Sequence, residues 1–246
     1  MLLVIASLVF ALFLDVCQAR DYKSNPYKIA ILGASGYTGA ELTRRLLNHP
    51  FVSIDVLTAD RNAGNDFCEI FPQFFGFKLP KLRKWQEARD SINSCDVVFC
   101  CLPHGTTQEI ISDLSQNQNL KIIDLSADFR LSDPEVYAKW YGKPHAAPLL
   151  QKEAVYGLPE VNRLKIKSAR LVANPGCYPT AAQLALVPLL RAGLILDEDI
   201  IIDAKSGTTG AGRAPKEASL FCEVTDGIHA YSVASHRHSP EIEENL

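Results

Sequence analysis

The order of apolar and polar positions predicts strands that alternate with helices in the earlier part of the chain. Between the first two apolar runs, Leu42, Leu46 and Leu47 recur at the spacing of one helix face. The later runs are almost continuously apolar, as in parallel strands that are buried on both faces. The predicted strands are residues 29–32, a run ending near Leu57, residues 97–102 and the run beginning at Leu120. This alternation predicts an α/β fold with a Rossmann-type doubly wound parallel sheet.

A second pattern begins at VANPGCYPTAA, residues 172–182. Its Pro-Gly pair predicts a turn, and the apolar positions that follow have helical spacing. Those positions are Leu184, Val187, Leu190 and Leu194. Pro179 suits the first turn of this helix, where its missing N–H costs nothing. Residues 200–215 then predict a buried strand that leads into a Ser/Gly/Thr loop.

The composition is that of an ordinary globular protein. The 246 residues are 47% hydrophobic and 22% charged, with a formal net charge of −3. No basic run is longer than a pair, which argues against a nucleic-acid partner. The seven cysteines form no Cys-x-x-Cys pair and no zinc-ligand spacing, so the sequence predicts reduced thiols and no metal site.

The first 26 residues predict a leader that lies outside the fold. The apolar segment LLVIASLVFALFL, followed by DVCQA, resembles the hydrophobic region and cleavage site of a secretory signal. It is short for a membrane span, so no membrane is predicted for the mature chain. No Lys or Arg precedes Arg20, which is unlike a secretory signal, and the Arg-rich, Ser-rich composition of a transit peptide is missing too.

Three evenly spaced glycines follow the first predicted strand. Their G-x-x-G-x-x-G arrangement opens the first predicted helix. Such a turn lets the backbone approach a diphosphate at the positive end of a helix, which predicts a dinucleotide site. The candidate cofactor-binding residues of the turn are Gly33, Ser35, Gly36, Tyr37, Thr38 and Gly39. An ordinary strand-to-helix turn is the alternative.

The end of the second predicted strand bears on which dinucleotide binds. Arg61 lies just beyond this strand, where an arginine suits a ribose 2′-phosphate, so NADP is favoured over NAD. The adjoining Asp60 would instead suit the 2′-hydroxyl of NAD, and a solvated loop charge is a further alternative for Arg61. Pro103 and Ser126 follow the next two strands, so they fall on the ligand-binding edge of the predicted sheet.

Cys177 lies at the start of the helix that follows the Pro-Gly turn. The helix macrodipole favours a thiolate there, which predicts a nucleophile, and a buried structural cysteine is the alternative. A thiolate nucleophile needs a proton partner. His236 and His238 flank Arg237 just before a proline-started acidic helix, and they supply imidazoles beside a guanidinium that can bind phosphate or carboxylate. The Ser/Gly/Thr loop offers backbone donors for an anion.

Eight segments, in order along residues 28–243, resemble one known family. They are GASGYTGAEL, CCLPHGTTQEII, DLSADFRL, WYGKPH, VYGLPE, NPGCYPT, DAKSGTTGAGR and HRHSPEI. Together they resemble the N-acetyl-gamma-glutamyl-phosphate reductases of arginine biosynthesis, most closely the plant form. The resemblance implies an NADP-binding Rossmann domain over residues 27–175 and an incomplete α+β catalytic and dimerisation domain over residues 176–246.

The resemblance also implies a reaction. Enzymes of this family reduce an acyl phosphate, N-acetyl-L-glutamyl 5-phosphate, to N-acetyl-L-glutamate 5-semialdehyde with NADPH, and they release phosphate. Cys177 matches the cysteine that forms a thioester, and His236 matches the acid–base residue. The other implied contacts are Pro103, Ser206 and Gly207 with the cofactor, and Ser126, Arg130, Arg237 and His238 with the substrate.

Family members continue well past the HRHSPEI motif, whereas this chain stops at Leu246. The resemblance therefore implies an incomplete cofactor site. It leaves open an inactive truncated fragment that serves at most as a nucleotide-binding or interaction module, or an enzyme like aspartate-semialdehyde dehydrogenase. Relatives assemble as homodimers or tetramers through the second domain. The likeness to plant members implies a plastid location, with the cytoplasm, or secretion if the leader is a signal peptide, as alternatives.

Overall fold

The computed structural model describes residues 25–246, which divide into two compact units. The first ends at Pro175 and the second spans Gly176–Leu246. The leader predicted for residues 1–26 lies, except for its last two residues, outside the described part of the chain. No helix among residues 25–246 is long and apolar enough to cross a membrane.

The first unit is built on a sheet of seven parallel strands within the described residues. They are β1 (Tyr27–Leu32), β2 (Val52–Thr58), β3 (Leu82–Arg83), β4 (Val97–Cys100), β5 (Lys121–Asp124), β6 (Val155–Tyr156) and β7 (Leu171–Ala173). The strand order is β3-β2-β1-β4-β5-β7-β6. Because the order reverses between β1 and β4, the sheet is doubly wound, and the predicted fold class is confirmed.

Helices connect the strands and cover the sheet. They are α1 (Tyr37–Leu46), α2 (Phe67–Ile70), α3 (Trp85–Asn93), α4 (Thr107–Leu114), α5 (Pro134–Tyr141), α6 (Pro148–Glu153) and α7 (Pro159–Ser168). Successive residues of β1 enter two different apolar clusters, Ile29 and Ile31 one cluster and Ala30 and Leu32 the other. All four are fully buried. Burial on both faces explains why the strands are almost continuously apolar.

The second unit contains three α-helices. They are α8 (Cys177–Arg191), α9 (Phe221–Val224) and α10 (Ser239–Asn245), with 3-10 turns at Thr208–Ala211 and Glu217–Ser219. Helix α8 begins at the predicted place and has Pro179 in its first turn, as expected. The predicted apolar face is only partly right, because Val187 is buried whereas Leu184 is exposed. Leu194 lies beyond the end of the helix and is exposed.

The prediction of a buried strand at the start of residues 200–215 is wrong. The segment has no strand, and Ile201 is 93% exposed. A strand needs a neighbouring strand to satisfy its N–H and C=O groups, and no other segment of residues 176–246 forms one. The apolar residues at the start of this segment therefore have no sheet to join within the second unit.

Candidate functional site

The glycine turn after β1 has a backbone that side chains would obstruct. Gly33 has a left-handed φ of +72°, and a Cβ there would overlap the carbonyl oxygen of Cys101. A Cβ on Gly39 would lie 2.6 Å from the Cα of Ala34. Gly36 is the N-cap of α1 and has no side-chain cap hydrogen bond. A bare turn at the positive end of a ten-residue helix fits a diphosphate.

The other predicted cofactor residues of the first unit follow the carboxyl ends of its strands. Ser35, Tyr37 and Thr38 belong to the turn and the first turn of α1. Arg61 lies in the turn after β2, and Pro103 follows β4, and both are exposed. In a parallel sheet these ends share one edge, so the structure brings these residues to the edge where ligands of such folds bind.

Ser126 and Arg130, predicted to bind substrate, lie in a buried polar network after β5. The Ser126 hydroxyl donates to Oδ2 of Asp124 at 2.6 Å, and its amide N–H donates to Oδ1 at 3.0 Å. The Arg130 guanidinium donates to the carbonyl oxygens of Asn174, at 2.7 Å, and Leu125, at 3.0 Å. Arg130 therefore joins the segments after β5 and β7, whereas Ser126 hydrogen-bonds to the end of β5. The contact of both side chains with substrate stays a prediction.

In the second unit, Cys177 is the first residue of α8 and its side chain is partly exposed. The preceding Gly176 is the N-cap, and its N–H donates to the buried carboxylate of Glu241 in α10 at 2.8 Å. A Cβ at position 176 would lie 2.5 Å from Nε2 of His238. Residue 176 must therefore be glycine, and α10 fixes the backbone from which the cysteine projects.

Two tyrosines connect the predicted nucleophile to the histidines. The ring of Tyr178, next to Cys177, meets the His236 ring edge-on with centroids 5.2 Å apart. The Tyr231 hydroxyl donates to that of Tyr178 at 2.9 Å, and Nε2 of His236 lies 3.3 Å from the Tyr231 oxygen. The His236 and His238 ring centroids are 4.8 Å apart. Both predicted histidines thus belong to one cluster with the residue that follows Cys177.

Burial favours the uncharged forms of two members of the cluster, His236 and Tyr231. Burial lowers the pKa of His236, so its imidazole is neutral near neutral pH and can accept a proton. Burial chiefly raises the pKa of Tyr231, with the hydrogen bond and charge of Tyr178 and the charge of Cys177 contributing in the same direction. Tyr231 therefore remains a phenol and a hydrogen-bond donor.

The remaining predicted residues of the second unit lie on its surface. Arg237 is exposed between the two histidines. Ser206 and Gly207 are exposed too, and the Ser206 hydroxyl donates to the Gly207 carbonyl at 3.0 Å, just before a 3-10 turn. Among residues 25–246 there is no group of three His, Cys, Asp or Glu side chains suited to a metal ion.

Sequence reasoning missed Tyr178, Tyr231 and Glu241. Tyr178 and Glu241 stand inside the motifs NPGCYPT and HRHSPEI, and an acidic residue in the first turn of a proline-started helix is a signal for a capping role. Tyr231 gave no such signal, because it lies five residues before His236 in a loop without a regular pattern.

The fold, the glycine turn of the first unit and the tyrosine–histidine cluster of the second unit indicate the class of protein. Residues 28–169 match the sequence model of the semialdehyde dehydrogenase NAD-binding domain, and residues 177–246 match that of the semialdehyde dehydrogenase dimerisation domain. The chain belongs to the semialdehyde dehydrogenase family.

Individual relatives have names that specify one enzyme within this family. A protein of Oryza sativa subsp. japonica named "Probable N-acetyl-gamma-glutamyl-phosphate reductase, chloroplastic" is 60% identical over 219 residues, covering 89% of this chain and 52% of that protein. An N-acetyl-gamma-glutamyl-phosphate reductase of Rhodospirillum rubrum is 60% identical over 226 residues, covering 91% and 64%. The resemblance found in the motifs is confirmed. The chain spans 52% to 64% of the length of these relatives.

A solved structure supports the fold alone. The aspartate semialdehyde dehydrogenase II of Vibrio cholerae, in complex with ASA, matches with a TM-score of 0.50 and 18% sequence identity. The match covers 68% of this chain and 47% of that chain.

The burial of Asp124 predicts how stability depends on pH. Burial raises the pKa of Asp124 to about 7, against the hydrogen bonds from Ser126 that lower it. A raised pKa in the folded state makes the contribution of this group largest below the unfolded value and removes it as pH rises towards 7. From pH 5 to pH 8, the stability of the wild type should fall relative to Asp124→Asn by on the order of 2 kcal/mol. Urea unfolding of both proteins at several pH values measures this, and a constant difference would contradict it.

Proposed function

We propose that this chain is part of an NADPH-dependent N-acetyl-gamma-glutamyl-phosphate reductase. The reaction reduces N-acetyl-L-glutamyl 5-phosphate to N-acetyl-L-glutamate 5-semialdehyde and releases phosphate, within arginine biosynthesis. One observation carries the proposal: a partly exposed cysteine begins α8, and its neighbour Tyr178 contacts the His236 ring. The names of relatives at 60% identity supply the substrate.

Cys177 performs the first chemical step. Its thiolate attacks the acyl carbon, the carbon–oxygen bond to the phosphoryl group breaks, and phosphate leaves with the bonding electron pair. The product is a thioester on Cys177, and a thioester accepts a hydride more readily than a carboxylate does. The thiol lies at the N-terminus of a 15-residue helix and is partly exposed, so an acyl phosphate can reach it.

His236 handles the proton. Because burial lowers the pKa of His236, the neutral imidazole takes the thiol proton, and the resulting imidazolium gives that proton to the departing phosphate. The Tyr231 oxygen lies 3.3 Å from Nε2, and the His238 N–H donates to Nδ1 at 3.1 Å, so Nδ1 releases that N–H when it takes the thiol proton. These two contacts hold the ring in one orientation.

The glycine turn and Arg61 hold the cofactor. The bare backbone at Gly33 and Gly39 receives the diphosphate, and the exposed Arg61 guanidinium binds the 2′-phosphate that distinguishes NADP from NAD. Ser35, Tyr37, Thr38 and Pro103, and Ser206 and Gly207 of the second unit, complete the proposed cofactor contacts. When bound, NADPH supplies the hydride that takes the acyl group to the aldehyde level.

The substrate contacts and the cellular context complete the proposal. Arg237 binds the phosphoryl group and His238 lies beside it, and Ser126 and Arg130 shape the substrate side of the sheet edge. The match of residues 177–246 to a dimerisation domain supports assembly as a homo-oligomer. The rice relative is named chloroplastic, which supports a plastid location.

Replacing the proposed nucleophile tests the reaction. In the full chain, Cys177→Ser should lower the rate of NADPH oxidation with the acyl phosphate at least about a hundredfold, since a serine hydroxyl ionises far less readily than a thiol. NADPH affinity, measured by fluorescence titration, should stay within about twofold of the wild type. The exposed Cys222→Ser is the matched control and should retain normal turnover. Normal turnover of Cys177→Ser would remove the cysteine from the mechanism.

Reversing the charge at position 61 tests the choice of cofactor. Arg61→Glu should lower the ratio of NADPH to NADH affinity by about tenfold or more, because a charge-assisted hydrogen bond to phosphate is replaced by repulsion. Arg163→Glu makes the same charge change on the exposed face of α7 and should leave the ratio unaltered. Isothermal titration with both dinucleotides gives the ratios. An unaltered ratio in Arg61→Glu would assign the 2′-phosphate to another residue.

A further inference from the structure

The loop between β4 and α4, residues 101–106, lies against the glycine turn. The Cys101 N–H donates to the carbonyl of Leu32 at 2.9 Å, and the Cys101 carbonyl oxygen occupies the space that a side chain on Gly33 would need. Further along the loop, Gly105 has a left-handed φ of +78°. The loop therefore borders the proposed diphosphate site. Gly105 permits this backbone conformation but does not select it, so contacts with surrounding residues have to select it.

A buried carboxylate imposes that conformation. Asp128 has no exposed surface, and its carboxylate accepts the N–H of Gly105 at 2.7 Å to Oδ1 and 2.8 Å to Oδ2. The hydroxyl of Tyr137 in α5 donates to Oδ1 at 2.8 Å, and the hydroxyl of Thr107 in α4 donates to Oδ2 at 2.6 Å. Three donors from three separate elements thus meet on one side chain.

The loop is also held from its other side. The carbonyl of Gly105 accepts the Lys143 ammonium at 2.9 Å, and Nδ1 of His104 accepts the Ala127 N–H at 3.0 Å. Both backbone groups of Gly105 are therefore tethered to residues outside the loop. Burial, together with the hydrogen bond to Asp128, raises the pKa of Tyr137, so its hydroxyl stays a donor to the carboxylate.

The strand order assigns a half of the dinucleotide to this loop. An arginine after β2 marks the adenosine side, and the turn after β1 takes the diphosphate. Strand β4 lies on the opposite side of β1 from β2, so the loop after β4 borders the nicotinamide half.

We propose that Asp128 is a positioning residue that holds residues 101–106 in the conformation that receives the nicotinamide half of NADP. The proposal rests on the proposed function, because it presupposes dinucleotide binding at this edge. Asp128 acts through the Gly105 N–H, and it needs no contact with the cofactor itself.

Comparing a whole ligand with its adenosine half tests the proposal. The wild type and Asp128→Asn are titrated with NADP and with adenosine 2′,5′-bisphosphate by calorimetry. If the weakened tether leaves the loop competent about one tenth of the time, the dissociation constant for NADP rises about tenfold while that of the fragment stays within about twofold. Without ligand, hydrogen exchange at the Gly105 amide should also accelerate about tenfold or more.

Tyr137→Phe is the matched control for damage to the network. It removes one donor to Asp128 but leaves both contacts with the Gly105 N–H. It should lower the melting temperature as Asp128→Asn does, and its affinity for NADP should stay within about twofold of the wild type. A comparable loss of NADP affinity in Tyr137→Phe would overturn the proposal in favour of a general structural role.

The possible results distinguish a failure of this inference from a failure of the proposed function. A wild type that binds neither NADP nor the fragment overturns the proposed function, and the inference falls with it. A wild type that binds both while Asp128→Asn binds both equally well overturns the inference alone, as does an equal loss for both ligands. If Asp128→Asn does not fold, the conservative Asp128→Glu decides, since it keeps the charge but displaces the carboxylate from the Gly105 N–H. This variant should raise the dissociation constant for NADP about threefold and leave that for the fragment unchanged. No change for NADP would overturn the proposal.

Discussion

A carboxylate that leaves water must be given hydrogen-bond donors, and this requirement organises the carboxyl edge of the sheet. Asp124 ends β5 and takes its donors from Ser126, whereas Asp128 takes them from Gly105, Thr107 and Tyr137. These contacts join the loop after β4 to two helices. The parallel strands alone would leave that loop without a fixed conformation, so the buried acids convert a sheet edge into a shaped surface.

In the second unit, too, a buried carboxylate fixes the backbone through a hydrogen bond, here beside Cys177. Cys177 is partly exposed, so burial of its own side chain does not hold it in place. The structure fixes its backbone instead, through the Gly176 N–H on Glu241 and the His238 ring against Gly176. The stretch just before α10 that carries His238 also carries His236, and this brings the His236 ring against Tyr178 in the first turn of α8.

The successes and errors of sequence reasoning have a common cause. Of the seven strands described, β1, β2, β4 and β5 were predicted, because burial leaves a run such as residues 97–100 apolar at every position, whereas the short β3, β6 and β7 were not predicted. The start of α8 was predictable from Gly176 and Pro179, which act locally. The strand expected after residue 200 failed because an apolar run specifies a strand only when a partner strand is available.

The sequence by itself determined the doubly wound sheet, the glycine turn, the start of α8 and the family, since each depends on residue types close together along the chain. Only the tertiary structure decided which polar groups meet. The contact of Asp128 with Gly105 spans 23 positions, and that of Gly176 with Glu241 spans 65. Hydrogen bonds over such separations leave no periodic trace in a sequence, because their geometry depends on how whole helices and strands pack.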